Sequence, residues 1–536
     1  MNSRPNIVFI VIDALRYDRL GVAGYSPKVT PFLDTLARKG ILCNNLFSAG
    51  CPTQVAFPSI FTSTLPLDYG GYSEGIHNRP SSFVEILQSN GYETFGVSSV
   101  HSGSSHYGYD RGFDKYINLI DIFQWFQSNY ISYIKDSIDS WEAGLLSDNK
   151  IVDFLNSKYG FVLSDSLKYL DQLDEIGASE RGIFKRPHLR EMIDKEQKLL
   201  IKDPIIIARK FVTYKRHYQL ALGEADIRPG LQKEILKKNE WRKKINRKIA
   251  LIADRDAYQG DFINNLIFRH MKKGPKNPFF YFLHYFDLHE SGTIFANLRF
   301  LKSATLPLDV VRASIGREKG NRGSMLYDIA LSKVDRLVNK LIQMIKKLRL
   351  FENTIFIITG DHGKRAGMPE RPNESRVTDL SQGFYDNKVH VPLIIYGSNI
   401  SPERNDSLMS HLDIGPTILD LAGIDIPQGF LGLPVSIRRN NSAPYVLAEN
   451  AGDGRCDINR KTLYLSIRTK KIKVVFEAKD FIIKERDVFN ILDDPCEYKN
   501  LRDTNILMKE RLECASIIDN RLSGIRDYLK TNGPKE

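Results

Sequence analysis

The sequence predicts an α/β fold on a largely parallel sheet, and three observations carry that reading. NIVFIVI, starting at Asn6, is a continuous β-rich apolar run of the kind that forms a strand buried on both faces. Strand and helix signals alternate through residues 5–100 at the spacing of parallel βαβ units. Four candidate strands end in ionisable or hydroxyl residues, where the working groups of open parallel sheets gather.

The opening run holds only about six apolar residues before Asp13 and is followed by no small-residue cleavage site, so it reads as a first strand and not as a signal peptide. No run approaches the roughly 18–20 apolar residues of a bilayer span. The chain is therefore expected to be soluble and cytoplasmic, with no transmembrane segment. TPFLDTLARKG, from Thr30, has helical spacing and closes on Gly40; SSFVEILQSNG repeats the pattern, and YETFGVSSV follows as a strand. Between 117 and 265 long helical patterns rich in Lys, Arg and Tyr replace the alternation, which marks a helical insertion. Within it, LQKEILKKNEWRKKINRK carries eight Lys/Arg between Lys233 and Lys248. That stretch is either a solvated helix face or an electrostatic funnel for an anion.

The α/β pattern then resumes. NPFFYFLHYFDLHES is a buried strand running into polar residues, YDIALSKVDRLVNKLIQMIKKLRL a long amphipathic helix, NTIFIITGDHG and HVPLIIYG two more strands, and DIGPTILDLAGI a helix. LYLSIRTKKIKVVFEA and DVFNILDDPCEYKNL predict a pair of meander-like strands in a small C-terminal α+β subdomain. The predicted division is 1–116 with 266–425 as the catalytic α/β domain, 117–265 as a basic helical insertion or cap, and 426–536 as the C-terminal subdomain.

With 536 residues, 42% apolar and 26% charged, the chain can bury a sizeable core, and its length alone allows about two to four domains. Five cysteines, 43, 51, 456, 496 and 514, are odd in number and lack CxxC spacing, which argues against a disulfide framework or structural zinc. A formal charge of +12 and a pI near 9.2 favour an acidic partner without choosing among phosphorylated substrates, anionic polysaccharide, nucleic acid and a membrane surface.

The strand ends supply Asp13, Thr53, the pair Asp287 and His289, and the pair Asp361 and His362. Each has a plainer reading. Asp13 would serve as a helix N-cap, Asp361 as a turn residue before Gly363, His362 as a satisfied structural histidine, and Asp287 with His289 as a solvated pair. Together, carboxylates, an imidazole and a hydroxyl at strand ends make a divalent metal site, best suited to Mn²⁺ or Zn²⁺ with Ca²⁺ or Mg²⁺ as alternatives. In LFSAGCPTQVAFPSIFTS, Cys51 and Thr53 compete as nucleophile.

NIVFIVIDALRYDRLG, TGDHG and HVPLIIYG, in this order, with the PTILDLAGI helix and DVFNILDDPCEYKNL, resemble the sulfatase branch of the alkaline phosphatase superfamily. The resemblance covers 5–116 and 270–505 and omits the insertion. It implies a three-layer αβα sandwich with a smaller C-terminal sheet, and a metal-activated nucleophile at a helix start, where unpaired N–H groups favour an anion. It makes Asp13, Asp361 and His362 metal ligands together with Thr53. Sulfatases generate a formylglycine nucleophile from the cysteine of C-x-P-x-R, with Thr-Gly about nine residues later. Phe61-Thr62-Ser63 fits the second element, and nine residues before Thr62 stands Thr53. Cys51 fails the motif, because Thr53 stands where Pro belongs and Val55 where Arg belongs.

The departures are equally informative. Phe57 takes the place of the motif arginine. Ser99 takes the place of the lysine in the K-W-H segment, whose histidine is kept as His101, and a second sulfate-contacting lysine falls near Ser381. A threonine nucleophile resembles the phosphodiesterases and the phosphoglycerol and phosphoethanolamine transferases of the superfamily. His289 matches the PHxP histidine and is the candidate for leaving-group protonation. His101, Asp287 and His390 are secondary candidates for substrate contact or a second metal, with one metal favoured. The function expected is metal-dependent hydrolysis or transfer of phosphate (di)esters through Thr53. Sulfuric-ester hydrolysis and a non-catalytic anionic-glycan-binding module are the alternatives. A saccharide or lipid headgroup fits the ester's organic part, no nucleic acid is expected, and the sequence leaves the oligomeric state open.

Overall fold

A computed structural model describes residues 4–120, 134–178, 188–214, 260–276, 278–289, 308, 310–311, 314, 322–365, 383–451, 458 and 462–532. The predicted basic stretch 233–248 and Ser381 lie outside the described residues.

Eight strands form the main sheet: β1 (Asn6–Ile12), β2 (Ile41–Phe47), β3 (Glu93–Ser98), β4 (Lys115–Asn118), β5 (Phe279–Tyr285), β6 (Thr354–Gly360), β7 (His390–Gly397) and β8 (Glu403–Ser410). Their order is β4-β3-β5-β1-β6-β7-β2-β8. NIVFIVI becomes the central β1, buried at every position, because both its faces are covered. Val8, Ile10 and Ile12 enter one apolar cluster with the long helix Arg322–Lys347. Ile7, Phe9 and Val11 enter another with the helices Thr53–Thr62, Phe83–Ser89 and Ile414–Leu421. Helices on both faces of one sheet make the three-layer sandwich, as expected.

The sheet is mixed, not wholly parallel, since β7 runs antiparallel to both β6 and β2. The reason is local. Gly363 N–H donates to Lys388 O at 2.6 Å, so the chain re-enters the sheet at the end it has just left and must run back. The described helices between Lys135 and Tyr214 bury Ile138, Leu163, Ile193 and Phe211 in the same cluster as one face of β1. A fully buried Lys210–Glu196 pair at 2.6 Å lies among them. β4 crosses the predicted division at 116, and helix Gly260–Met271 crosses that at 265.

The C-terminal region holds a second sheet in the order β12-β11-β10-β9, formed by β9 (Val446–Asn450), β10 (Leu463–Arg468), β11 (Ile472–Lys479) and β12 (Ile482–Asn490), all antiparallel. Helix Met508–Asn532 covers it through Cys514, Ile518, Leu522 and Ile525, a stripe at helical spacing. Among the described residues no helix is long and apolar enough to cross a membrane.

Candidate active site

The centre is assembled by register. Ile12 of β1 pairs with Gly360 of β6, so the next residues, Asp13 and Asp361, emerge side by side at the C-terminal ends of adjacent parallel strands. Ala14 then turns the chain through a left-handed conformation, φ 65°, which an alanine adopts at a cost. That turn aims the Ala14 N–H at Asp361 Oδ1 (3.1 Å), and the His362 N–H donates to the same oxygen (2.8 Å). With Oδ1 held by backbone, Asp361 Oδ2 is left facing the site.

His362 is fixed in the same way. Its Nδ1 lies 2.6 Å from the Gly363 carbonyl, which only accepts, so Nδ1 carries the proton. Nε2 is thereby turned to the carboxylates, 3.5 Å from Asp361 Oδ2 and 3.8 Å from Asp13 Oδ1. Gly363 is required beside it, because a Cβ there would come within 2.1 Å of the Asn387 carbonyl oxygen.

Thr53 opens the helix Thr53–Thr62, nine of whose ten residues are buried. Its Oγ1 lies 2.7 Å from Asp361 Oδ2, 3.3 Å from Asp13 Oδ2 and 3.3 Å from His362 Nε2. Two braces hold the loop leading to it. Ser48 Oγ donates to Asp361 O at 2.7 Å. From the second sheet, Glu449 N–H donates to Ala49 O and Asn450 Nδ2 to Cys51 O, both at 2.8 Å. Glu449 is itself paired with Arg521 at 2.6 Å and accepts from Leu67 N–H at 2.9 Å.

The electrostatics ask for a cation. Burial, reinforced by the neighbouring Asp361, pushes the Asp13 carboxyl up to about 7. Burial also opposes charge on Asp361, but His362, His284 and hydrogen bonds from Thr53 and Ala14 outweigh it and hold that carboxyl below its usual range. Burial opposes charge on His362 too, yet Asp361 beside it raises the imidazole well above its usual value. Asp13 Oδ1 is buried and has no hydrogen-bond partner among the described residues. One ligand atom from each of Asp13, Asp361 and His362 falls within 4.8 Å of the others. Two buried carboxylates, an imidazole and a hydroxyl, with one carboxylate oxygen unsatisfied, fit a divalent ion.

A pH dependence follows. The ion needs Asp13 as carboxylate and His362 Nε2 without its proton, and both groups hold protons in the ion-free protein at neutral pH or below. Asp13 has its folded pKa raised, so in the ion-free protein it withdraws stability as pH climbs from about 4 to about 7. Metal affinity is expected to rise over the same range, with proton release on binding. Calorimetric titration on either side of pH 7, in buffers of different ionisation enthalpy, measures both; a flat affinity would contradict the ligand assignment.

Other predicted residues are placed differently. Asp287 is committed elsewhere: its Oδ1 pairs with Lys333 at 2.7 Å and its Oδ2 accepts from Gly260 N–H at 2.8 Å. His390 is stacked between Tyr17 and Phe47, with ring centroids 4.5 and 4.6 Å away, and bonds the Asn44 carbonyl through Nε2 at 2.6 Å. These two are not brought together as a second metal site. His289 stacks on Phe286 at 4.5 Å, and its backbone carbonyl accepts from Lys364. His101 is buried against His106 and Tyr107, and burial holds it well below its usual pKa. Cys51 is half-buried and touches His362. Cys51→Ser keeps a small polar group there and is expected to leave turnover within an order of magnitude of wild type in a steady-state assay.

The sulfatase family model matches residues 5–171 and 235–424, more than half of the chain. The chain belongs to the sulfatase family. It is similar to Arylsulfatase K of Bos taurus, 31% identical over an alignment of 218 residues that covers 38% of this chain and 37% of the relative's length. The match to an arylsulfatase of Clostridium perfringens is 23% identical over 561 residues, covering 99% of this chain and 97% of the relative. Among solved structures, the phosphonate monoester hydrolase of Agrobacterium radiobacter superposes with a TM-score of 0.54 at 15% identity, over 98% of this chain and 96% of that one. At that identity the likeness shows the fold.

Against the sulfatase pattern, two of the substituted positions, 57 and 99, meet at one residue that sequence reasoning passed over. Phe57 packs its ring on His284 with centroids 5.0 Å apart, and Ser99 Oγ donates to the His284 carbonyl at 3.3 Å. His284 sits inside β5, paired with Val11 and fully buried, and burial pushes it down to about 4. The available signal was an ionisable residue within FFYFLHY, an otherwise apolar strand apart from tyrosine hydroxyls.

Proposed function

We propose that this sulfatase-family protein hydrolyses or transfers phosphate esters, diesters foremost, by attack of Thr53 at a divalent-metal centre held by Asp13, Asp361 and His362. The observation that carries the reading is the Thr53 hydroxyl at a buried helix start, 2.7 Å from one buried carboxylate and 3.3 Å from the other. A bound divalent ion, Mn²⁺ or Zn²⁺ by the donor set, supplies acidification of the hydroxyl and neutralisation of phosphoryl charge.

The chain's own residues do the rest. Thr53 Oγ1 bonds to phosphorus as the bond to the leaving oxygen breaks, and its hydroxyl proton passes to solvent, since Asp361, held below its usual range, is no base. His289 gives its proton to the leaving oxygen. Water or an acceptor hydroxyl then attacks the phosphothreonine and gives its proton to His289, and Thr53 Oγ1 regains a proton from solvent as its bond to phosphorus breaks. Threonine carries a single hydroxyl, so its ester must be opened by a second nucleophile; it lacks the two geminal hydroxyls of a hydrated formylglycine. The basic composition supports an anionic substrate, with a saccharide or lipid headgroup as its organic part.

Sulfuric-ester hydrolysis through the same Thr53 is the second reading, favoured by the relatives named arylsulfatases. Turnover of matched aryl phosphate monoester, diester and sulfate substrates, with Mn²⁺, Zn²⁺, Ca²⁺ or Mg²⁺ added, separates the two. Metal- and Thr53-dependent phosphoester turnover supports the first reading and sulfate turnover the second. Silence on all three with no bound ion would leave a non-catalytic glycan-binding module.

A further inference from the structure

His284 stands beside the centre with no assigned task. It is fully buried, and neither ring nitrogen has a hydrogen-bond partner among the described residues. Its Nε2 lies 4.0 Å from Asp13 Oδ2 and 3.9 Å from Asp361 Oδ2. Those are the two carboxylate oxygens that also flank Thr53 Oγ1.

The ring is held by contacts that leave its nitrogens unused. Phe57 packs at 64° to its plane and Phe282 nearly parallel to it at 6.4 Å, while Ser99 fixes the backbone through the carbonyl. A buried imidazole with both nitrogens unsatisfied is costly, and a fold that keeps one points to a partner outside the polypeptide. Substrate meets Thr53 and His362, each 5% exposed, before it meets a residue that solvent does not reach. An ion among the carboxylates is within range. Two ligand atoms held about 2.0–2.2 Å from one transition ion stand at most about 4.4 Å apart, and the observed 3.9 and 4.0 Å fall inside that limit.

The geometry points to His284 as a further ligand of the metal centre, so that two imidazoles join the two carboxylates and the Thr53 hydroxyl. Such a mixed nitrogen and oxygen donor set favours a first-row transition ion, Zn²⁺ ahead of Mn²⁺, over Ca²⁺ and Mg²⁺, which prefer all-oxygen sites. This rests on the metal-dependent reading of the site and deepens it by assigning the ion's class.

The test uses the full-length protein stripped with EDTA and titrated calorimetrically with Zn²⁺, Mn²⁺ and Ca²⁺, as wild type, His284→Ala, His284→Gln and Asp361→Asn. Circular dichroism in EDTA verifies that each is folded, and the glutamine variant stands in if alanine leaves the core unable to fold. Wild type should prefer Zn²⁺ or Mn²⁺ to Ca²⁺. Both His284 variants should lose at least about tenfold in affinity for the transition ions and little for Ca²⁺. The electron spin echo modulation of the Mn²⁺-loaded protein should fall from two imidazole nitrogens to one. Wild-type affinity and an unchanged nitrogen signature in the His284 variants, with binding still lost in Asp361→Asn, would overturn the His284 assignment alone. No ion bound by wild type would overturn the metal-dependent reading and the His284 assignment with it.

Discussion

Thr53→Ala is expected to keep the fold and the metal and to lose turnover by at least about 10⁴-fold, the scale seen when a nucleophile is removed from a site that otherwise stays intact. The fold should survive because the change deletes only a hydroxyl and a methyl at a helix start, while Phe57, Ile60 and Phe61 keep the helix in the core. Metal should be retained, with some loss, because two carboxylates and the imidazole do not depend on the hydroxyl. Activity on the preferred ester, metal content and thermal unfolding of the same preparation give all three readings. Residual turnover within about tenfold of wild type would show that Thr53 is not the attacking group, and Cys51 would then be examined in its place.

Asp361→Asn should fail differently. Its Oδ2 is the oxygen closest to Thr53, and its Oδ1 already accepts two backbone N–H groups. An amide can keep only one oxygen, so either the backbone bonds or the ligand is given up, and the charge is lost in both cases. Metal affinity is expected to drop by at least about 100-fold, beyond the effect typical of residues that merely support a ligand, with turnover falling in parallel. Excess metal should restore part of the rate, which distinguishes a weakened site from a missing nucleophile. Full metal content with unchanged turnover would remove Asp361 from the centre.

The residues that could be read ahead are those whose place is dictated by short-range pattern. Asp13, Asp361 and His362 directly follow apolar runs that can only be buried strands, and Thr53 follows from a fixed count to Thr62. What escaped depends on partners distant in sequence. Asp287 looked available until Lys333, 46 positions away, took its carboxylate. His390 looked free until Tyr17 and Phe47 enclosed it. His284 was hidden by its apolar neighbours, since a histidine within a buried strand gives no periodic signal of which face it takes, and the register with Val11 supplies that. The reversal of β7 and the second sheet's four-strand order also come from long-range pairing, which local propensity does not encode.

The two sheets are joined where it matters for chemistry. Glu449 and Asn450, at the end of β9, grip the carbonyls of Ala49 and Cys51, on the loop that ends at Thr53. The proposed metal ligands follow strands of the first sheet, while the loop that leads to Thr53 is braced from both sheets. Cutting the chain ahead of β9 would therefore yield a fragment that keeps Asp13, Asp361 and His362 but loses one of the two braces on the loop to Thr53, so the proposed turnover should suffer before cation binding does. Inheritance and engineering alike have to treat the two sheets as one unit, and shuffling the C-terminal piece between relatives would alter turnover before it altered metal content.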